Sequence, residues 1–137
     1  MQQPMRKPLP FVYDENRPFW DGAKKHQLLI QKCKDCGKFQ FYPRSMCMHC
    51  LSENIEWVKA SGKGKVYSFT IAHRPGNPAF AADVPYNIAI IELEEGVRMP
   101  SKVVDCKNED IKCDMPVEVV FRDETPELAI PYFRPTK

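Results

Sequence analysis

Two cysteine pairs constrain this chain more than any other feature. Cys33-Lys34-Asp35-Cys36 and Cys47-Met48-His49-Cys50 are both Cys-x-x-Cys, and ten residues separate them. A two-residue gap lets both sulfurs of a pair face one ion, while amides of the tight turn donate to them. Gly37 follows the first pair, where a positive φ is often required. The interval suits a short out-and-back hairpin, although it is tighter than the usual spacing between two pairs. Four thiolates in tetrahedral geometry select zinc, or iron as in rubredoxin. His49 could replace one of them, but Cys33, Cys36, Cys47 and Cys50 already complete a shell. His49 therefore reads as a surface residue of its turn. A shell of four protein ligands has no open position and cannot activate water, so the ion's role is structural. The segment around it carries too few apolar residues to fold without metal.

The reading as metal ligands depends on a reducing compartment. The chain of 137 residues has no run of eighteen apolar residues, so no membrane span is expected. Its start, Met1-Gln2-Gln3-Pro4-Met5-Arg6-Lys7-Pro8, has no apolar stretch behind the charges and does not resemble a secretory signal. A cytoplasmic location follows, where thiols stay reduced. Cys106 and Cys113, six residues apart with Lys, Asn, Glu and Asp between them, form no knuckle and are expected as free thiols.

Thirteen prolines break up helices, and the chain divides into three parts. Residues 1–16 are Pro-rich and aperiodic: a flexible tail, disordered or laid along a partner. Residues 17–60 hold a short helix and the cysteine ribbon. Asn16 is placed to cap that helix, with Pro18 in the first turn and Phe19, Trp20 and Ala23 as its apolar face. Gly22 keeps it brief. Leu28–Cys33, Phe39–Tyr42 and Ile55–Lys59 are expected ribbon strands.

After the turn-rich joint Ser61-Gly62-Lys63-Gly64, residues 61–137 offer five short β-rich segments. These are Lys65–His73, Asn87–Leu93, Val97–Val104, Val117–Phe121 and Leu128–Phe133. Five strands of this length suit a small closed barrel of the OB type. The fold class is mostly β: a short helix and ribbon, then an OB-type barrel with a C-terminal tail. Tyr67, Phe69 and Ile71 are expected to face the core, as are Val117, Val119 and Phe121. Glu94-Glu95-Gly96 is a tight hairpin turn. The connection Arg74–Tyr86 is long and apolar, with Phe80, Val84 and Tyr86, so it is either a contact surface or a lid folded over the barrel.

No catalytic constellation emerges. His26, His49 and His73 fall in separate segments, and none has a recognisable Ser, Cys or carboxylate partner. Gly62-Lys63-Gly64 lacks the phosphate-loop spacing. Charge is asymmetric: residues 1–91 carry 13 Lys/Arg against 7 Asp/Glu, and residues 92–127 carry 5 against 11. A single-stranded nucleic-acid binder would need a basic groove with stacking aromatics. Glu92, Glu94 and Glu95 on the central hairpin argue against that alternative. An iron-bearing electron carrier is the third reading.

Taken together, four stretches resemble a family of small bacterial and archaeal proteins with a rubredoxin-like zinc ribbon followed by an OB-type barrel. They are Phe19-Trp20-Asp21-Gly22; the ribbon with Tyr42-Pro43-Arg44; Pro85-Tyr86 with Ile91 to Arg98; and Met115 to Phe121 with Phe133-Arg134-Pro135. Cys113 departs from the glycine frequent before the closing strand, which puts the local turn in question. The resemblance implies a non-catalytic companion of acyl-CoA enzymes: most often thiolases, the benzoylsuccinyl-CoA type being one candidate, and also aldolases and hydratases. It implies a hetero-oligomer with a thiolase-like catalytic subunit, structural Zn2+, and an acyl-CoA thioester as a shared ligand. The basic front, Lys24, Lys25, Lys32, Lys34, Lys38 and Arg44, could meet CoA phosphates, though most of these charges are simply solvated. Lys34, Lys38, Arg44, Arg74, Phe80 and Tyr86 are the candidate CoA or partner contacts.

Overall fold

The structure, a computed structural model, describes residues 9–136. The first eight positions of the expected 1–16 tail thus lie outside the described residues. Helix α1 spans Arg17–Lys24, with Pro18 in its first turn. Phe19, Gly22 and Ala23 are buried and Trp20 is half-buried against the core, while Arg17, Asp21 and Lys24 are exposed. Asn16 stands at the N-cap position, but its side chain bonds no helical amide. It accepts from the Tyr13 amide at 2.8 Å and donates to Phe11 O at 3.0 Å and to the Tyr42 hydroxyl at 2.8 Å. The fully buried asparagine thereby ties the entering chain to the ribbon. Gly22 has a packing reason: a Cβ there would meet the Leu29 side chain at 2.8 Å.

The ribbon is a three-stranded antiparallel sheet of order β2–β1–β3, with β1 Leu29–Cys33, β2 Phe39–Gln40 and β3 Ile55–Lys59. Strand β2 is shorter than the expected Phe39–Tyr42, because only Gln40 and Phe39 pair with β1. The second sheet has five strands: β4 Lys63–Ala72, β5 Tyr86–Leu93, β6 Arg98–Ser101, β7 Pro116–Thr125 and β8 Leu128–Pro135. Their order is β6–β5–β4–β7–β8. A parallel bridge between Val103 and Phe133 joins the two ends of this sheet. Phe133 N donates to Lys102 O at 3.0 Å and Val104 N to Phe133 O at 2.7 Å. The edges are thus paired and the sheet closes into an OB-type barrel, which removes exposed strand edges.

Strand β4 corrects two expectations. It begins at Lys63, so Gly64 lies inside the strand and not in the joint. It also carries a bulge between Val66 and Ser68. The extra residue reverses the inside-outside phase. Before it, Val66 is fully buried; after it, Phe69 and Ile71 turn inward. Tyr67, expected in the core, is 46% exposed, and Arg98 lies over its ring at 3.7 Å. Glu94-Glu95-Gly96 forms the expected turn, with Gly96 at φ 94 and its amide on Leu93 O at 2.8 Å. In the turn before β7 the left-handed position is Asp114, φ 68, not Cys113. Cysteine therefore needs no special conformation there.

One core runs through both sheets. Phe19 from α1 and Leu28 and Ile30 from the ribbon join Val66, Ile91, Met99, Val103, Val117 and Phe133 of the barrel. Beyond α1, His26 Nε2 meets Asp123 Oδ1 at 3.0 Å and stacks on Phe121 at 5.3 Å. Among the described residues, no helix is long and apolar enough to cross a membrane.

Candidate metal centre and its surroundings

Strand β1 ends at Cys33, and the chain turns at once through Cys36 and Gly37. Gly37 N donates to Cys33 O at 2.9 Å, with Gly37 at φ 76. The second knuckle repeats the turn: Leu51 N donates to Cys47 O at 2.9 Å, with Leu51 at φ 65. The left-handed conformation is free for glycine and costs about 1–2 kcal/mol for a residue with a Cβ. The first knuckle fills that slot with Gly; the second fills it with a leucine that is 70% exposed.

The two turns bring four sulfurs together, all within 4.8 Å of one another. The Cys33–Cys50 and Cys36–Cys47 Sγ separations are both 3.6 Å. Zinc–sulfur bonds of about 2.3 Å place tetrahedral sulfurs about 3.8 Å apart. Those two separations lie close to that value. Amides stabilise the sulfurs as thiolates: Cys36 N lies 3.4 Å from Cys33 Sγ, and His49 N and Cys50 N lie 3.3 and 3.4 Å from Cys47 Sγ. His49 is outside the cluster of converging ligand atoms. Cys106 and Cys113 are unpaired thiols away from it.

The four thiols do not share one acid–base behaviour. Burial opposes charge on Cys47, but the Cys50 and His49 amides and the neighbouring thiols outweigh it and pull the thiol down to about 6. Cys50 receives an amide bond from Ser52, yet burial and the surrounding sulfurs push it up to about 12. Hydrogen bonds thus favour the thiolate at Cys47 and the thiol at Cys50 within one cluster. The chemistry a divalent ion supplies here is structural. Cys33, Cys36, Cys47 and Cys50 would hold it.

Two buried glutamines hold the second knuckle in place, and sequence reasoning passed over them. Gln40 Oε1 accepts from Met48 N at 2.8 Å, while its Nε2 donates to Gln31 Oε1 at 2.7 Å and to Met46 O at 3.2 Å. Gln31 also grips Arg44, accepting from its amide and donating to its carbonyl, both at 2.8 Å. The available signal was a glutamine amid apolar strand positions: Gln31 after Ile30, and Gln40 between Phe39 and Phe41. Asp35 links the knuckles from outside. It accepts from the Ser52 hydroxyl, and from Asn54 Nδ2 at 3.3 Å. Those two bonds, Ser52 first, hold its carboxyl below the usual value.

The six candidate contact residues fall into separate groups. Lys34, Lys38 and Arg44 are exposed on the ribbon. Lys38 lines a groove with Phe39, Met48, His49, Glu95 and Arg98, whereas Arg44 lies by Trp57 and Glu15. Phe80 and Tyr86 lie on the barrel side, ring centroids 6.2 Å apart. They line a cleft of about 360 Å³ with Leu9, Ile88, Lys102 and Tyr132. Arg74 is exposed at the start of that loop. Within the loop, Pro78–Asp83 forms a 3-10 helix whose cap, Asn77, accepts from Ala79 N at 2.8 Å.

Comparison with known proteins places this geometry. The family described as "ChsH2, rubredoxin-like zinc ribbon domain" matches residues 20–56, and "ChsH2, C-terminal OB-fold domain" matches residues 57–122. A "Probable enoyl-CoA hydratase alpha subunit" of Thermomonospora curvata is 37% identical over 94% of this chain; the chain spans 40% of that relative's length. A "DUF35 domain-containing scaffold protein" of Methanocaldococcus jannaschii is 45% identical over 75% of this chain and 74% of its own. "Benzoylsuccinyl-CoA thiolase subunit BbsA" of Geobacter metallireducens is 35% identical over 66% of this chain and 58% of its own. Among solved structures, a chain of an "Ltp2-ChsH2(DUF35) aldolase" superposes with TM-score 0.83 at 37% identity, covering 93% of this chain and 98% of that one. A ribbon and a barrel matched in the same order, together with a relative aligned over most of both chains, make this chain a member of the DUF35 family of ChsH2-type zinc-ribbon and OB-fold proteins.

Proposed function

We propose that this chain is a non-catalytic, zinc-bearing subunit that assembles with a thiolase-like acyl-CoA enzyme and helps to hold the CoA thioester. The likeness to nearly the whole DUF35 chain of the Ltp2-ChsH2(DUF35) aldolase carries this reading. The closed sulfur shell agrees with it, since four protein ligands leave an ion nowhere to bind substrate. Relatives named as subunits of an enoyl-CoA hydratase and of a benzoylsuccinyl-CoA thiolase support the reading of a subunit in an acyl-CoA enzyme. Lys34, Lys38 and Arg44 on the ribbon, and Arg74, Phe80 and Tyr86 on the barrel, are the residues offered to the partner or to CoA.

The test is to co-express the chain with the thiolase-type enzyme encoded beside it and to purify by a tag on either subunit. Co-elution at fixed stoichiometry, with higher acyl-CoA turnover than the catalytic subunit alone, is the expected result. Separate elution, or full activity of the catalytic subunit by itself, rules the reading out.

A further inference from the structure

The tip of the second knuckle has a use that metal binding does not explain. Met46, Met48 and Leu51 lie within six residues of one another and are 40%, 53% and 70% exposed. Large apolar side chains concentrated at one exposed place mark contact sites, and methionine is enriched in interfaces. This tip is also rigid by construction. Cys47 and Cys50 anchor it to the sulfur cluster, and Gln40 grips Met46 O and Met48 N. A pre-ordered apolar surface loses little freedom on binding.

The left-handed slot sharpens the case. Gly37 and Leu51 occupy equivalent positions, each following the second cysteine and closing the same amide bond. Glycine suffices for the turn at Gly37. At Leu51 the chain instead accepts a strained backbone for a side chain that lies mostly in water. Strain kept at an exposed residue points to function.

Charge identifies the occupant. The groove that Met48 lines carries two cations, Lys38 and Arg98, against one carboxylate, Glu95, while Arg44 stands apart beside Glu15 and Trp57. Resting on the subunit reading above, we infer that this tip is the apolar anchor for the catalytic subunit. It seats Met48 and Leu51 in a hydrophobic depression of that partner rimmed by acidic side chains.

The co-expressed complex provides the test, using Leu51→Gly and Met48→Glu. Leu51→Gly removes the side chain and relieves the backbone, so zinc content and melting temperature hold. Capture of the catalytic subunit is expected to weaken at least tenfold in both variants and to weaken further with salt in the wild type. If the wild type captures the partner and both variants capture it equally with zinc intact, the anchor is elsewhere and the inference fails while the subunit reading stands. If the wild type captures nothing, the subunit reading fails and the inference goes with it. A wild-type chain that dimerises alone, and that Leu51→Gly converts to monomer, assigns the tip to a second copy and overturns the proposed partner.

Discussion

Gln40 illustrates how much one side chain decides at this site. It accepts from Met48 N and donates to Gln31 and to Met46 O, so the second knuckle hangs from it. Gln40→Leu keeps the volume but leaves the part-buried Met48 amide and Met46 carbonyl without this partner. We expect a loss of about 2 kcal/mol in urea unfolding of the zinc-loaded protein and faster zinc transfer to a chelator. Asp35 makes the matching prediction in pH. Its folded-state pKa lies below the ordinary 3.8, so its contribution is complete above that value and disappears as pH falls through the lower folded value. Asp35→Asn is therefore expected to lower the melting temperature at pH 7, with the gap to wild type closing below about pH 4. A constant gap across that range would show that Asp35 acts through packing and not through its charge.

At the scale of elements, β4 governs the barrel. It pairs with β5 along most of its length and with β7 at its start, so Gly64 faces both Leu93 and Val117. A Cβ there would meet Glu92 O at 2.4 Å, and a backbone atom cannot step aside as a side chain can. Gly64→Ala is expected to cost 2 kcal/mol or more, about the effect of other core overpacking, read as a lower urea midpoint. The existence of each barrel strand was legible, because alternation and turn residues mark strands locally. The Val66/Ser68 bulge was not, and it moved Tyr67 from the expected core to the surface. A bulge is set by pairing with another strand, so its position is invisible along one segment. Asn16 teaches the same lesson: its residue type signalled a helix start, but its bonds go to Tyr13, Phe11 and Tyr42.

For the whole molecule, ribbon and barrel share a core but not a source of stability. Most of the buried apolar residues belong to the barrel, including Val66, Ile91, Met99, Val117 and Phe133, so the ribbon is expected to depend on an ion held by its four cysteines. Chelation at neutral pH is expected to release one zinc per chain and to abolish amide protection between Cys33 and Cys50, while Ala89 and Ile91 stay protected. Hydrogen exchange followed by mass spectrometry reads both regions at once. Uniform loss of protection would mean that the barrel cannot stand without the ribbon. The sequence alone determined which four cysteines converge, the ribbon-then-barrel order and the number of barrel strands, because each depends on spacing or period within a short stretch. Only the tertiary structure decided which residues hold the knuckle from behind, where the barrel closes at Val103 and Phe133, and which apolar side chains remain outside. Those outcomes depend on contacts between segments far apart in the chain, and no local pattern encodes them.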